Sequence, residues 1–111
     1  MLTRSAKNKG KKLQNLVRDK LRERFPMWKD YIKSTTMGES GVDIQIVGDA
    51  RTVIPYAIEC KSRKSIAVYK DFEQAKRHAL NGNILYPLLV IKQNASKPLA
   101  VIDLDVFLDL S

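Results

Sequence analysis

Residues 38–64, GESGVDIQIVGDARTVIPYAIECKSRK, constrain the fold of this chain more than any other stretch. Apolar side chains recur at every second position in residues 42–47 and again in residues 53–61. This is the period of a β-strand with one apolar face. The residues between them, 48–51, carry the glycine and aspartate of a turn. We therefore predict two strands that follow each other closely and can pair.

Three charged side chains fall on one face of this predicted pair. Asp43 belongs to the first strand, and Glu59 and Lys61 belong to the second. Two carboxylates beside an amine suit Mg²⁺-assisted phosphodiester hydrolysis, because Mg²⁺ prefers carboxylates, waters and phosphate oxygens. Asp43 and Glu59 would hold the ion together with the main-chain carbonyl of Cys60, and Lys61 would orient the attacking water. An exposed Glu–Lys pair of little energetic value is the alternative interpretation.

The remaining residues predict helices around that sheet. Apolar residues at helical spacing from Leu13 to Phe25, stopped by Pro26, indicate a first helix. A second helix is predicted over residues 68–80, strands over residues 31–36, 85–93 and 99–104, and a short closing element over residues 105–110. The order is α-β-β-β-α-β-β in a single domain of 111 residues. We expect an α/β fold with a mixed sheet of about five strands flanked by helices.

The charge of the chain lies at one end. The net charge is +8, and residues 1–33 hold 11 Lys/Arg against 3 Asp/Glu, which accounts for all of it. Such a block favours a polyanion, most often nucleic acid, although acidic proteins, membrane surfaces or simple solubility are alternatives. Residues 1–12 are predicted to form a basic, flexible arm. The side chains expected to follow DNA phosphates are Lys7, Lys9, Lys11, Lys12, Arg18, Arg63 and Lys64.

Several other sequence features limit the location of the chain and the roles of single residues. No apolar run reaches the ~20 residues of a membrane helix, and the N-terminus does not resemble a signal peptide. Cys60 is the only cysteine, so we expect a reducing, cytoplasmic environment and a buried, unreactive thiol. Gln14 falls inside the apolar arc of the first helix and needs a partner there. His78, four residues after Gln74, is predicted to be solvent-facing or hydrogen-bonded rather than a metal ligand.

These motifs resemble those of the PD-(D/E)XK nucleases. The matching segments are Gly41-Val42-Asp43, residues 58–64 (IECKSRK) and Glu73-Gln74-Ala75, with Lys9-Gly10 and Val90-Ile91-Lys92 also similar to archaeal and phage Holliday-junction resolvases. The resemblance spans most of the chain. It implies a restriction-endonuclease-like core, a homodimer, and an endonuclease that cuts DNA with Mg²⁺, or Mn²⁺ as a substitute. The family's metal acids and lysine fall on Asp43, Glu59 and Lys61.

The resemblance also implies roles for three residues outside the central motif. Gln74 falls on the helical glutamine that supports the site and contacts DNA, and Ser40 falls on a DNA-contacting serine. Gln14 stands where similar resolvases carry a metal-binding glutamate, so it is a candidate ligand without a charge; Glu23 and Glu39 are the alternatives. Val42 stands in place of the proline of the family name, a position that carries no chemistry.

Three functions remain open from the sequence. The first is a structure-selective, resolvase-like DNA endonuclease of DNA recombination and repair, in the host cytoplasm if a bacteriophage encodes it. The second is a nuclease of the same fold that acts on nicked, flapped or single-stranded DNA. The third is a non-catalytic DNA-binding accessory protein, which the uncharged Gln14 favours.

Overall fold

A computed structural model describes residues 4–35, 41–84 and 86–110. Within these ranges the chain is α/β, as predicted, with five strands in one mixed sheet of order β1-β2-β3-β4-β5. The parallel pair is β3–β4, and the other neighbours are antiparallel. In chain order the elements are α1 (Arg4–Arg24), a 3₁₀ helix (Pro26–Tyr31), β1 (Ile32–Ser34), β2 (Ile44–Ile46), α2 (Ala50–Val53), β3 (Tyr56–Arg63), α3 (Val68–Asn81), β4 (Tyr86–Gln93), β5 (Leu99–Val101) and α4 (Leu104–Asp109).

Helix α1 packs on one face of the sheet and encloses the main core. Leu13 is buried there, and Val17, Leu21 and Phe25 pack against the cluster, so the predicted apolar stripe is confirmed. The sheet contributes mostly β-branched side chains that suit a pleated, buried surface. The buried members of this core are Leu13, Ile32, Ile44, Ile46, Ala50, Ile54, Ile58, Cys60 and Val90.

Helix α3 connects the parallel strands β3 and β4 and packs against both of them. Ala75 and Ala79 are buried, and their small side chains let the helix lie close to the sheet. Alternation along β3 separates the side chains that face the two helices. Ile58 and Cys60 belong to the core beneath α1, so Ala57, Glu59 and Lys61 lie on the other face.

Two predicted features of the chain need correction. Residues 4–12 are not a flexible arm, because they form the first turns of α1; residues 1–3 lie outside the described ranges. The link between β2 and β3 is not only a turn, because it contains α2, whose Ala50 is fully buried. The other predicted strands and the second helix are confirmed within a few residues of their bounds, apart from residues 36 and 85, which lie outside the described ranges. The closing element is a short helix, α4. No helix in the described residues is long and apolar enough to cross a membrane.

Candidate active site

Asp43 immediately precedes β2, at the point where that strand separates from β3. The last pair in register is Ile44 opposite Ile58. Beyond it, the amide of Asp43 donates to the carbonyl of Ile58 at 3.0 Å. Its carboxylate Oδ2 accepts a 2.7 Å hydrogen bond from the main-chain N–H of Cys60. The Asp43 side chain is thereby fixed at the end of the β2–β3 ladder, next to the residue that follows Ile58.

That residue is Glu59, and it is almost fully buried, with 3% of its surface exposed. Burial, followed by the neighbouring charge of Asp43, raises the pKa of Glu59 to about 7. Burial also raises the pKa of Asp43, although hydrogen bonds from the Cys60 amide and from Glu59 oppose the shift. The two carboxyl groups therefore form an interacting pair that holds a proton near neutral pH, since two desolvated negative charges repel each other.

Lys61 is the third residue of the predicted site. Its position two residues after Glu59 places it on the same face of β3, and its side chain is half-buried. The Lys61 charge lowers the pKa of both Asp43 and Glu59 against the larger effect of burial. Asp43, Glu59 and Lys61 are thus brought together at the end of the β2–β3 ladder, on the face that α3 covers.

His78 is the residue of this cluster that the sequence analysis did not assign to the site. Its Nδ1 lies 2.6 Å from Oε2 of Glu59, and the two groups form a largely buried hydrogen-bonded pair. The contact agrees with the hydrogen-bonded role predicted for this histidine. The sequence gives little indication of this contact. His78 and Glu59 are 19 residues apart, and only the packing of α3 on β3 brings them together.

Gln74 lies on α3 one turn before His78 and is half-buried. Two contacts set the direction of the helix: His78 meets Glu59, and Asp71 meets Arg63 with 3.6 Å between Oδ1 and Nη1. Helix α3 therefore runs antiparallel to β3. Gln74 falls between the two contacts on α3, as Lys61 does on β3, so both residues face the same space between the helix and the sheet.

The candidates for a third metal ligand differ in position. Gln14 is buried on α1, as its place in the apolar arc predicts. The adjacent Asn15 accepts a hydrogen bond from Ser34, the last residue of β1, so Gln14 lies near the sheet end that carries Asp43. Glu23 is exposed on the last turn of α1, beside Arg22, which binds the carbonyl of Ile32 at the opposite end of β1. Glu23 is therefore a poor substitute.

Two predicted residues, Glu39 and Ser40, lie outside the described ranges. Cys60 is buried as predicted, and burial raises the pKa of its thiol, which keeps it protonated. The main-chain N–H of Cys60 points toward the start of β2 and donates a hydrogen bond to Oδ2 of Asp43. In a strand the carbonyl of the same residue points to the same neighbour. The Cys60 carbonyl is thus directed toward the Asp43 side of the strand.

The predicted DNA contacts fall into two groups. Lys7, Lys11 and Lys12 are exposed on the N-terminal turns of α1, and Arg63 and Lys64 are exposed at and just after the end of β3. Lys9 is half-buried and donates to Oδ1 of Asn94 at 3.0 Å. Arg18 lies farther along α1 and pairs with the exposed Asp19 at 2.9 Å.

The donor set fits Mg²⁺ better than a metal that needs a full protein cage. Among the described residues, no group of three or more His, Cys, Asp or Glu side chains has an arrangement that could hold a metal ion. Mg²⁺ is usually bound through one or two carboxylates and keeps several waters. Asp43 and Glu59 supply such a pair, and the proton that they retain is the charge that a divalent cation would replace.

Comparisons with known proteins do not extend this picture. No family model, no curated protein and no solved structure matches the chain.

Proposed function

We propose that this chain is a Mg²⁺-dependent endonuclease that hydrolyses DNA phosphodiester bonds, of the PD-(D/E)XK type and similar to the Holliday-junction resolvases. The observation that carries the proposal is the interaction of the buried carboxyl groups of Asp43 and Glu59 at the end of the β2–β3 ladder, beside Lys61. An exposed Glu–Lys pair would not be desolvated in this way. The basic N-terminal turns of α1 support DNA as the substrate.

Each residue of the cluster has a role in this mechanism. Asp43 and Glu59, with the Cys60 carbonyl, would hold the ion, and Gln14 would be an additional neutral oxygen donor. When bound, Mg²⁺ supplies shielding of the phosphate charge and stabilisation of the leaving oxygen. Mn²⁺ is expected to substitute for it.

The lysine and the helix α3 act on the other partners of the reaction. Lys61 orients the attacking water through its ammonium group and lowers the pKa of that water. The water oxygen forms a bond to phosphorus while the bond from phosphorus to the leaving sugar oxygen breaks. Gln74 contacts the DNA next to Lys61. His78 holds the Glu59 carboxylate in a single orientation.

The decisive variant is Lys61→Ala. We expect this change to abolish cleavage while DNA affinity stays near that of the original chain, because Lys61 lies on the α3 face and not among the exposed lysines of α1. Cleavage is measured on a four-way junction, a nicked duplex, a flap and a single strand, with Mg²⁺, Mn²⁺ or EDTA. Lys33→Ala, at an exposed position of the edge strand β1, is the control for the loss of one charge. Equal loss of binding and cleavage in Lys61→Ala would contradict a catalytic role.

The same assay separates the narrower alternatives. Preferential cutting of the junction supports a resolvase of recombination and repair. Cutting of the nicked, flapped or single-stranded substrate instead supports a nuclease of the same fold that acts on those substrates. A non-catalytic DNA-binding accessory is favoured by one observation, the uncharged amide of Gln14 at the position of a third acid. Failure to cut any substrate with either metal would leave only that function.

We further propose a homodimer, because symmetric cutting of a junction needs two active sites. Apolar side chains near the C-terminus are exposed, notably Leu99, Leu104 and Leu108. Aspartates 103, 105 and 109 alternate with Leu104 and Leu108 along the same segment of the chain, so an acidic apolar segment of one copy can meet the basic α1 of another. Light scattering of the free chain and of its DNA complex measures the stoichiometry.

A cytoplasmic location, in the host cell if a bacteriophage encodes the chain, agrees with the buried free thiol of Cys60.

A further inference from the structure

A second group of charged residues lies on the opposite face of the sheet from Glu59. Helix α1 crosses the carboxyl ends of β3 and β4 there and leaves a cavity of about 270 Å³. We call this cavity the lysine pocket. Its lining residues are Lys9, Lys12, Leu13, Leu16, Ser62 and Lys92.

The strand register explains why these groups converge. Ser62 and Lys92 are direct partners in the parallel pair β3–β4. Ser62 is two residues after Cys60 and so faces α1. Leu13 of α1 is buried in the same core as Cys60, which brings the preceding turn of the helix over the strand ends. The apolar contact therefore positions the lysines of α1 beside Ser62 and Lys92.

The charges of the pocket are not neutralised within the described chain. None of its lining residues is acidic. The described ion pairs involve none of its three lysines. The ammonium groups of Lys9 and Lys92 have neutral partners, Oδ1 of Asn94 and the carbonyl of Gln93. Three lysines around one cavity without a carboxylate give it a positive potential that favours an anion.

The chemistry of the lining suits a phosphate group. Three ammonium groups act as point charges for its oxygens, and the Ser62 hydroxyl adds a neutral donor. The cavity is several times the ≈ 30 Å³ that a water occupies in the liquid, so a phosphate fits. Exposed lysines 7 and 11 of α1 extend the positive surface beyond the pocket, as expected for an extended polyanion rather than a small ion.

We infer that the lysine pocket binds a non-scissile phosphate of the DNA backbone, on the face of β3 opposite the Asp43–Glu59 pair. The inference rests on the proposed function only for the identity of the polyanion. It requires the nucleic acid to pass over the carboxyl ends of β3 and β4, where it would reach both faces of the sheet. The pocket contributes affinity and position, and no step of the hydrolysis.

The test compares Lys92→Met and Lys12→Met with Lys33→Met, a control that removes the same charge from an exposed position of the edge strand β1. Methionine keeps an apolar stem in place of the lysine chain. Affinity for a labelled four-way junction is measured by fluorescence anisotropy in EDTA over a series of KCl concentrations. Each pocket variant is expected to lose about five- to tenfold in affinity and to lower the salt slope by about one. Lys33→Met is expected to change neither.

A second measurement identifies the ligand. Sodium phosphate, compared with sodium chloride at equal ionic strength, should shift the Ser62 amide resonance in the original chain and not in Lys92→Met. Pocket variants that bind DNA like Lys33→Met would overturn the inference. A phosphate-induced shift without any effect on DNA affinity would also overturn it, because the pocket would then take free phosphate. Loss of affinity in a chain that cuts no substrate would support the pocket while the nuclease proposal fails.

Discussion

At the scale of single residues, the hydrogen bond between His78 and Glu59 controls the charge of the candidate site. Glu59 is buried beside Asp43, and both effects favour its protonated form. The contact with His78 works in the opposite direction and lowers the pKa of Glu59. A carboxylate must be ionised to bind Mg²⁺ well. His78 thus keeps Glu59 closer to the ionised state that binding of the proposed Mg²⁺ would require.

Replacing His78 tests this role directly. In His78→Ala, we expect the pKa of Glu59 to rise above its value of about 7, because the opposing hydrogen bond is lost. Loss of this hydrogen bond to a charged group also lowers the free energy of unfolding by about 1.5–3 kcal/mol. His78→Asn keeps a donor near the position of Nδ1 and should recover part of both effects. Carbon NMR of the Glu59 carboxyl group and urea unfolding measure them. An unchanged Glu59 pKa in both variants would rule out the role.

At the scale of elements, the strands were more predictable than the contacts between layers. The period of two in residues 53–61 is enough to place Glu59 and Lys61 on one face, because alternation is a local property of a strand. Asp43 joins them only through the pairing of β2 with β3. The hydrogen bond from Cys60 to Asp43 was not predictable, since it depends on where β2 separates from β3. His78 was missed for a similar reason, because the packing of α3 on β3 fixes its contact.

Helix α1 shows the same limit at its beginning. Apolar periodicity starts at Leu13, so the sequence predicts a helix only from that point. The structure begins α1 at Arg4. Lysine and alanine are good helix formers, and they extend the helix toward its N-terminus despite Gly10. The contact between Lys9 and Asn94 then links these turns to the segment after β4, and a contact between residues so far apart in sequence has no local signature.

The position of Gln14 on α1 leads to a second prediction. Gln14→Glu adds a buried carboxylate near the Asp43 end of the sheet. Without metal we expect a lower melting temperature at neutral pH, because a third negative charge is desolvated. Mg²⁺ should restore more stability to this variant than to the original chain, since a third acid raises affinity for the ion. Asn15→Asp adds the same charge one residue along α1 and is the control. Equal responses of Gln14→Glu and Asn15→Asp to Mg²⁺ would exclude Gln14 from the metal site.

At the scale of the whole molecule, the candidate site opposes folding while the rest of the chain favours it. The core beneath α1 is built from close-packed aliphatic side chains, whereas the α3 face buries Glu59 and Asp71, and Oδ2 of Asp71 has no hydrogen-bond partner among the described residues. A purely structural interface would be more stable with apolar groups at these positions. Buried carboxyl groups on a face that also carries Lys61 are typical of a functional site, where stability is lost for chemistry.

This cost makes stability depend on pH with a definite sign. The pKa of Glu59 is raised from an ordinary 4.5 to about 7 in the folded chain. Between these values the folded state keeps a proton that the unfolded state has released, so the free energy of unfolding falls as pH rises. The contribution is fully present below pH 4.5 and is lost by about pH 7. The total loss is roughly 3 kcal/mol, with the pair Asp43–Glu59 titrating together.

Glu59→Gln removes the titrating group and keeps the shape of the side chain. We expect this variant to lose most of the fall in stability across that pH window and to exceed the original chain in stability above pH 7 when no metal is present. Urea unfolding over a pH series measures the effect, and Glu73→Gln, exposed on α3 and paired with Lys76, is the control. Mg²⁺ should then stabilise the original chain above pH 7 and leave Glu59→Gln nearly unchanged, because ligand binding to the folded state adds to the free energy of unfolding. If the free energy of unfolding depends on pH in the same way in the original chain and in Glu59→Gln, Glu59 is not the group with the raised pKa. Cleavage would then not be expected to rise as the pH passes 7.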